Sequence, residues 1–316
     1  MIVKILFSFY PKRDQQTSLI EKFPQVEFIF QKPLDEEALK TADILVTYGE
    51  DLSASHLEIA NQLKWIMVAS AGLEKMPLDE IAARNIILTN ARGIHKIPMA
   101  ESILAHILSI KKSLPLMAEN QQKGEWSPKL NPTELFGSTA LILGTGAIGS
   151  EVGRILQAFG VRTIGCNRSG KMASSMDAIV SFGQLKEVLP DADIIISILP
   201  STDETKHLLT YEHFQCMKQS AIFMNFGRGD VIKEEDLLRA LTEECIAYAV
   251  LDVFEKEPLH KEHPFWKMHN VIVSPHASSH SSQYVVRALE IFSKNLTEWL
   301  NESNQLDNII DLKRGY

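Results

Sequence analysis

Cysteine is scarce and irregularly placed: Cys166, Cys216 and Cys245 form an odd set without CxxC spacing. That excludes a disulfide framework and a cysteine-built metal centre, and fits buried thiols in a reducing cytoplasm. No run approaches the roughly eighteen apolar residues that a membrane span needs. The opening residues, Met1-Ile2-Val3-Lys4-Ile5-Leu6, lack the cationic start and long apolar core of a signal peptide and read as a first strand. Positive charge is in short supply, with 32 Lys and Arg against 40 Asp and Glu and a net charge of −8, so no basic face points to nucleic acid. No internal repeat or low-complexity segment is visible. His260, His263 and His269 fall in a charged, Pro-containing stretch and read as solvated loop residues, so no metal is expected.

What remains is the composition of a soluble enzyme, 45% hydrophobic and 23% charged over 316 residues, long enough for about two domains. Short apolar segments at 2–7, 26–30, 44–47, 65–68 and 86–88 read as strands. Stretches such as 52–62 and 78–83 between them have helical spacing, and this alternation predicts a parallel sheet covered by helices. Pro98 is expected to open a long helix that runs towards Leu114, with Pro115 near its end. A polar arm at 120–136 follows, holding Trp126. Further strands are expected at 161–166, 194–199, 221–225, 247–251 and 271–273, with helices at 234–241 and 284–300. The expected fold class is therefore α/β. Residues 1–99 and 283–316 make one domain and 100–282 the other, with a cleft between them.

The second domain opens on Ser138–Gly160, STALILGTGAIGSEVGRILQAFG. An apolar strand, Ala140-Leu141-Ile142-Leu143, leads into Gly144-Thr145-Gly146-Ala147-Ile148-Gly149, a GxGxxG turn, and then into a helix. The three glycines serve separate ends, namely a tight turn, a close backbone approach to pyrophosphate, and close helix–strand packing. Unpaired N–H groups at the helix start favour phosphate. Strand before, helix after and a second strand behind point to dinucleotide binding; a strand–helix turn that binds nothing is the bland alternative.

An acidic residue normally ends the second strand and takes the adenosine ribose hydroxyls. Here that strand ends in Asn167-Arg168-Ser169, with Lys171 close behind. Arg168 can hold a 2′-phosphate with a planar set of donors, and Asn167 and Ser169 can add neutral hydrogen bonds. NADP is therefore the expected cofactor, with NAD possible if Arg168 and Lys171 are only solvated loop charges.

Three further motifs follow: Asn225-Phe226-Gly227-Arg228-Gly229-Asp230-Val231-Ile232, then Leu251-Asp252-Val253-Phe254-Glu255-Lys256-Glu257-Pro258, then Ser274-Pro275-His276. With the glycine turn, in this order, they resemble the D-isomer-specific 2-hydroxyacid dehydrogenases. Within that family the chain is most similar to the NADPH-linked glyoxylate/hydroxypyruvate reductases, the terminal Arg314-Gly315-Tyr316 included. The resemblance covers essentially the whole length. It implies two Rossmann-like lobes, a flavodoxin-like substrate domain and a doubly wound parallel-sheet cofactor domain, and a homodimer made through the cofactor lobe.

It also implies that Arg228, Glu257 and His276 form a catalytic trio. Reduction of a 2-oxo acid needs a hydride at the carbonyl carbon and a proton at the carbonyl oxygen. His276 would be the acid and Glu257 its orienting partner. Arg228 would pair with the substrate carboxylate and polarise the carbonyl. Singly, each residue has a structural alternative: a histidine after proline, a turn arginine between glycines, a loop-capping glutamate. By the same resemblance Asp252 binds the nicotinamide carboxamide, or else caps a strand end. Leu199, Pro200 and Thr205 lie along the adenosine and pyrophosphate, Asn225, Phe226 and Gly227 pass beneath the nicotinamide riboside, and Ser278 lies at the nicotinamide end. Ser70, Ala71, Gly72 and Leu73 resemble the loop whose N–H groups hold the substrate carboxylate.

Arg92 and His95, in the loop entering the long helix, are candidates to face the substrate, as is Trp126. His280 reads as a helix-start residue. Phe226 takes a place that is commonly small and is expected to narrow the pocket. The resemblance implies an NAD(P)-dependent reductase of glyoxylate, hydroxypyruvate or a similar 2-oxo acid, cytoplasmic, giving the D-2-hydroxy acid. A phosphoglycerate dehydrogenase without a regulatory domain is the enzymatic alternative. A nicotinamide-sensing, corepressor-like protein is the alternative of another class.

Overall fold

The computed structural model describes residues 2–73, 75–303 and 305–312, which leaves Arg314-Gly315-Tyr316 outside the described residues. The chain divides into two units, 1–94 with 281–316 and 95–280. The sequence expects these divisions after residues 99 and 282. The earlier first boundary follows from Pro98, which stands in the third position of its helix instead of at its start. A proline is tolerated there because the first N–H groups of a helix have no intrahelical partner.

The first unit runs β1 (Val3–Phe7), α1 (Arg13–Lys22), β2 (Val26–Phe30), α2 (Glu36–Leu39), β3 (Ile44–Thr47), α3 (Ala54–Ile59), β4 (Trp65–Val68), α4 (Leu78–Ala83) and β5 (Ile87–Asn90). The second runs α5 (Lys96–Lys111), α6 (Leu114–Lys123), β6 (Thr139–Leu143), α7 (Ala147–Ala158), β7 (Arg162–Asn167), β8 (Ala178–Ser181), α8 (Leu185–Val188), β9 (Ile194–Ser197), α9 (Tyr211–Gln215), β10 (Ile222–Asn225), α10 (Glu234–Thr242), β11 (Tyr248–Leu251) and β12 (Val271–Val273). The chain then returns to the first unit as α11 (Tyr284–Leu300).

Both sheets are parallel. The first has the order β2-β1-β3-β4-β5, the flavodoxin-like arrangement, and the second β12-β11-β10-β9-β6-β7-β8, a doubly wound sheet. Strands β3, β4, β9 and β10 are buried at every position, which explains why they read as unbroken apolar runs. In each sheet the strand order reverses once, and ligand crevices lie at the carboxyl ends of the strands beside such a reversal. In the second unit that point falls between β6 and β9. In the first it falls between β1 and β3, where the rings of Phe9 and Tyr48 stand 4.4 Å apart.

Each sheet is sandwiched between two apolar layers. In the first unit α11 lays Ala288, Leu289, Phe292 and Leu296 against Ile5, Phe7, Trp65 and Met67. Trp65 is fully buried, its ring stacks on Phe292 at 5.5 Å, and its indole N–H donates to Thr89 Oγ1 at 2.9 Å. In the second unit α5 and α7 cover one face with Ile103, Ile107, Val152 and Leu156, while Phe214, Leu237 and Phe265 cover the other.

One expectation about the arm needs correction. Pro115 does not end the long helix; Ser113, at φ +56°, breaks it, and Pro115 lies in the first turn of α6. The irregular arm therefore starts at Gly124, not at residue 120. Among the described residues no helix is long and apolar enough to cross a membrane.

Candidate active site

The carboxyl ends of β6, β9, β10, β11 and β12 carry the sequence motifs as five loops of one unit. The glycine turn has the geometry its spacing demands. Gly144 adopts φ +99°, which a side chain would strain, and an added Cβ would stand 2.8 Å from the carbonyl oxygen of Ile198. At Gly149 a Cβ would meet the Gly144 carbonyl oxygen at 2.0 Å, so only hydrogen lets α7 start this close to β6. Gly146 differs: nothing lies within 4 Å of its Cβ position, and it is the N-cap of the twelve-residue α7. Open space before a helix N-terminus fits a pyrophosphate. The residues present therefore fit a dinucleotide, and Gly144, Thr145, Gly146, Ala147, Ile148 and Gly149 are the group that would hold it.

The turn after β7 is pinned by its first residue. Asn167 Nδ2 donates to Thr145 Oγ1 and to the Lys171 carbonyl, both at 3.0 Å, while Oδ1 accepts from the Ser169 N–H at 3.1 Å. Asn167 and Ser169 thus spend their polar groups on the turn itself. The Arg168 side chain is exposed, with Glu204 Oε2 3.7 Å from its Nη1.

Of the trio, two members are in direct contact. His276 Nδ1 donates to Glu257 Oε2 at 2.8 Å, and Glu257 Oε1 accepts from the Phe254 N–H at 3.1 Å. With Nδ1 engaged by Glu257, Nε2 is the ring nitrogen that this pair leaves to other partners. Arg228 lies on the loop after β10, its Nη1 donating to the Gly227 carbonyl at 3.0 Å. The glycines either side of it allow backbone-to-backbone contact. A Cβ at Gly229 would lie 2.0 Å from the Phe254 carbonyl carbon, and one at Gly227 would lie 2.3 Å from the Leu199 carbonyl oxygen. Arg228 is thereby seated beside the segment that leads to Glu257. Asn225 completes the loop, donating through Nδ2 to the Arg228 carbonyl at 3.0 Å and accepting the Gly227 N–H at 3.3 Å.

Several residues named from the sequence make structural bonds or contacts of their own. Asp252 is 1% exposed, and its carboxylate is filled by the loop that carries His276: it accepts from Ser274 Oγ at 2.6 Å, from the Ala277 N–H at 2.9 Å, and from both the N–H and hydroxyl of Ser278. Asp252 and Ser278 thereby build the loop, as the strand-end cap reading of Asp252 expects. His276 itself adopts φ +52° and donates its N–H to the Asp252 carbonyl at 2.9 Å. Phe226 is 2% exposed in the core, 5.9 Å from the His106 ring, and does not narrow a pocket. Thr205, 4% exposed, donates its hydroxyl to the Pro200 carbonyl at 2.6 Å and holds a turn. Leu199 is buried in the core while Pro200 is exposed.

In the first unit Ser70, Ala71, Gly72 and Leu73 follow β4. The Ser70 hydroxyl lies 3.2 Å from the Gly72 carbonyl, and Asn90 Nδ2 donates to the Ala71 carbonyl at 2.8 Å. Asn90 is 4% exposed and its Oδ1 also accepts the Arg92 N–H at 3.2 Å. Asn90 is the loop-holding residue that sequence reasoning passed over, although it begins the 90–95 stretch singled out for Arg92 and His95. Arg92 is exposed, as are Lys171, His280 and Trp126, the last at 99%. His263 takes a structural role, accepting the Phe265 N–H and lying 3.4 Å from Glu234. Among the described residues no group of three His, Cys, Asp or Glu is arranged to hold a metal ion. Burial pushes the Cys166 thiol up to about 12, which makes it unreactive.

Comparisons with known proteins agree with this geometry. The model of the D-isomer specific 2-hydroxyacid dehydrogenase NAD binding domain matches residues 104–278. A glyoxylate reductase of Aeropyrum pernix is 33% identical over 292 residues, 88% of this chain and 87% of that one. The crystal structure of a D-isomer specific 2-hydroxyacid dehydrogenase family protein from Aeromonas salmonicida, 33% identical, covers 99% of this chain and 100% of its own with a TM-score of 0.86. The NADPH-dependent glyoxylate/hydroxypyruvate reductase of Sinorhizobium meliloti, solved with NADP and sulfate, is 26% identical, covers 99% and 100%, and has a TM-score of 0.80. A glycine turn built for a dinucleotide, a histidine–carboxylate pair on the same sheet end and this degree of likeness lead to one conclusion: the chain belongs to the D-isomer specific 2-hydroxyacid dehydrogenase family, NAD(P)-linked oxidoreductases acting on the CH–OH group of donors.

Proposed function

We propose that the protein is an NADPH-preferring reductase of glyoxylate, hydroxypyruvate or a similarly short 2-oxo acid, giving the D-2-hydroxy acid where the product is chiral. The observation that carries this reading is the 2.8 Å pair of His276 and Glu257 in the unit that also bears the glycine turn. The bound cofactor supplies the hydride. His276 gives its Nε2 proton to the carbonyl oxygen, and Glu257 fixes the ring through its bond to Nδ1. Arg228 grips the substrate carboxylate and stabilises the negative charge that develops on the oxygen. In the first unit the loop Ser70, Ala71, Gly72 and Leu73 carries backbone N–H groups of the kind that hold a carboxylate.

Preference for NADPH is supported by what ends β7: Asn167-Arg168-Ser169 with Lys171 nearby, and no Asp or Glu at that strand end. A glyoxylate/hydroxypyruvate reductase bearing NADP among the related structures favours the same assignment. The proposal includes a cytoplasmic homodimer. Its support is the apolar surface of α6 and the arm, where Leu114, Leu116, Met117, Trp126 and Phe136 are all exposed and α6 has no buried residue.

A panel of 2-oxo acids assayed with NADPH and with NADH tests the reading. Glyoxylate or hydroxypyruvate should give the highest kcat/KM, at least about tenfold better with NADPH, a discrimination of about 1.4 kcal/mol. Equal or better kcat/KM with NADH contradicts the cofactor preference. Tight NADPH binding without turnover of any acid contradicts the enzymatic reading and favours a sensing role.

A further inference from the structure

The loop after β9 presents two acidic side chains, Asp203 and Glu204, to solvent. Glu204 is not loosely displayed, because its turn is pinned on both sides. Thr205 Oγ1 accepts the Thr202 N–H at 2.9 Å, the Thr205 N–H donates back to the Thr202 carbonyl at 3.0 Å, and the Lys206 N–H donates to the same carbonyl at 2.9 Å. Arg168 stands on an equally fixed turn, held by the bonds of Asn167 and Ser169 described above. Two pinned turns, after the strands β7 and β9 that flank β6, thus set a carboxylate 3.7 Å from the guanidinium at the ribose position.

We propose that Glu204 is a selectivity brake, a fixed carboxylate that competes with the cofactor's 2′-phosphate for Arg168. The inference rests on the reading of Arg168 as the 2′-phosphate ligand. A phosphate monoester carries about −1.5 to −2 charges near pH 7. On reaching Arg168 it must displace Glu204 from the guanidinium and then lie beside a like charge. NADH brings no such charge and leaves the ion pair intact. Glu204 therefore lowers affinity for NADPH without lowering it for NADH and keeps the preference below what Arg168 alone would give. Exposed ion pairs of this kind contribute little, so the brake is worth about a two- to fivefold change in affinity, not orders of magnitude.

The test uses the full-length, cofactor-free protein and calorimetric titration with adenosine 2′,5′-bisphosphate, with 5′-AMP as the probe lacking the 2′-phosphate. Glu204→Gln should bind the bisphosphate about two- to fivefold more tightly, and Glu204→Lys more tightly still. Both should leave 5′-AMP binding unchanged, and the gain should collapse in about 0.5 M salt, where screening removes exposed charge interactions. Arg168→Gln should weaken bisphosphate binding, and adding Glu204→Gln to it should gain less than the same substitution gains in the parent protein. If Arg168→Gln weakens binding but Glu204→Gln leaves it unchanged or weaker, the brake is overturned while the NADPH reading stands. If Arg168→Gln binds the bisphosphate like the parent protein, both fall.

Discussion

His276 is placed by a carboxylate that never needs to touch substrate. Its backbone is in the left-handed region at φ +52°, a conformation that costs a residue of this kind about 1 kcal/mol or more and persists only where the surroundings enforce it. Asp252 enforces it, gathering Ser274, Ala277 and Ser278 around one buried carboxylate. Asp252→Asn would turn an amide NH2 towards donors. A loss of about 1–3 kcal/mol is expected, read as a lowered midpoint in urea denaturation together with reduced kcat. An unchanged midpoint would mean that the loop holds itself. Arg228→Gln removes the charge and fork, and should lower kcat by about 10²–10³ with little effect on thermal stability, since the side chain is exposed. The residue types and order of Arg228, Glu257 and His276 were legible in the sequence because three separate motifs carry them. The work of Asp252 and Asn90 was not. It consists of hydrogen bonds to residues about twenty or more positions away, which no local pattern encodes.

The glycine turn divides into positions of different physical purpose, and two substitutions separate them. Gly149→Ala drives a methyl group into the Gly144 carbonyl at 2.0 Å, so α7 must shift; loss of about 1–3 kcal/mol is expected, read by thermal unfolding. Gly146→Ala puts the methyl into open space, so stability should hold while NADPH affinity falls, read by fluorescence titration. Equal behaviour of the two variants would contradict the assignment. Strands buried at every position, such as β3 and β4, and the apolar stripe of α11 were recovered from the sequence at their bounds, because burial writes itself as an apolar run or stripe. Strand β8, an edge strand half-buried at each position, shows only the short run Ala178-Ile179-Val180 and is not among the strands expected from the sequence. Helix α6 was hidden by Pro115, which reads as a stop where a helix is expected to end and as a start where Ser113 has already broken it.

At the scale of the whole molecule, the chain crosses from one unit to the other beside His95 and back beside His280. Burial lowers the pKa of His95 below its ordinary value, a hydrogen bond with the Ser279 backbone pulling the other way. Near pH 6.5 the unfolded chain therefore gains a proton that the folded chain resists, and stability declines as pH drops through that value towards the lower folded pKa. His95→Gln should flatten the fall of Tm between about pH 7 and pH 5; an unchanged slope would remove His95 from the account. Alternation of strands and helices made both parallel sheets legible, and the position of the glycine turn showed which half binds the dinucleotide. The antiparallel bridge that sets Ile309 beside Thr89 was not legible, since it joins the last described residues to the edge of β5 across most of the sequence.

The account depends on His276 delivering a proton to the carbonyl oxygen of a 2-oxo acid, and His276→Asn tests it most directly, because asparagine tolerates the left-handed backbone but cannot act as the acid. With NADPH and hydroxypyruvate the variant should lose about 10²–10⁴ in kcat while Tm and the Kd for NADPH stay at their parent values. A kcat within about fivefold of the parent, in protein that binds NADPH normally, would contradict it.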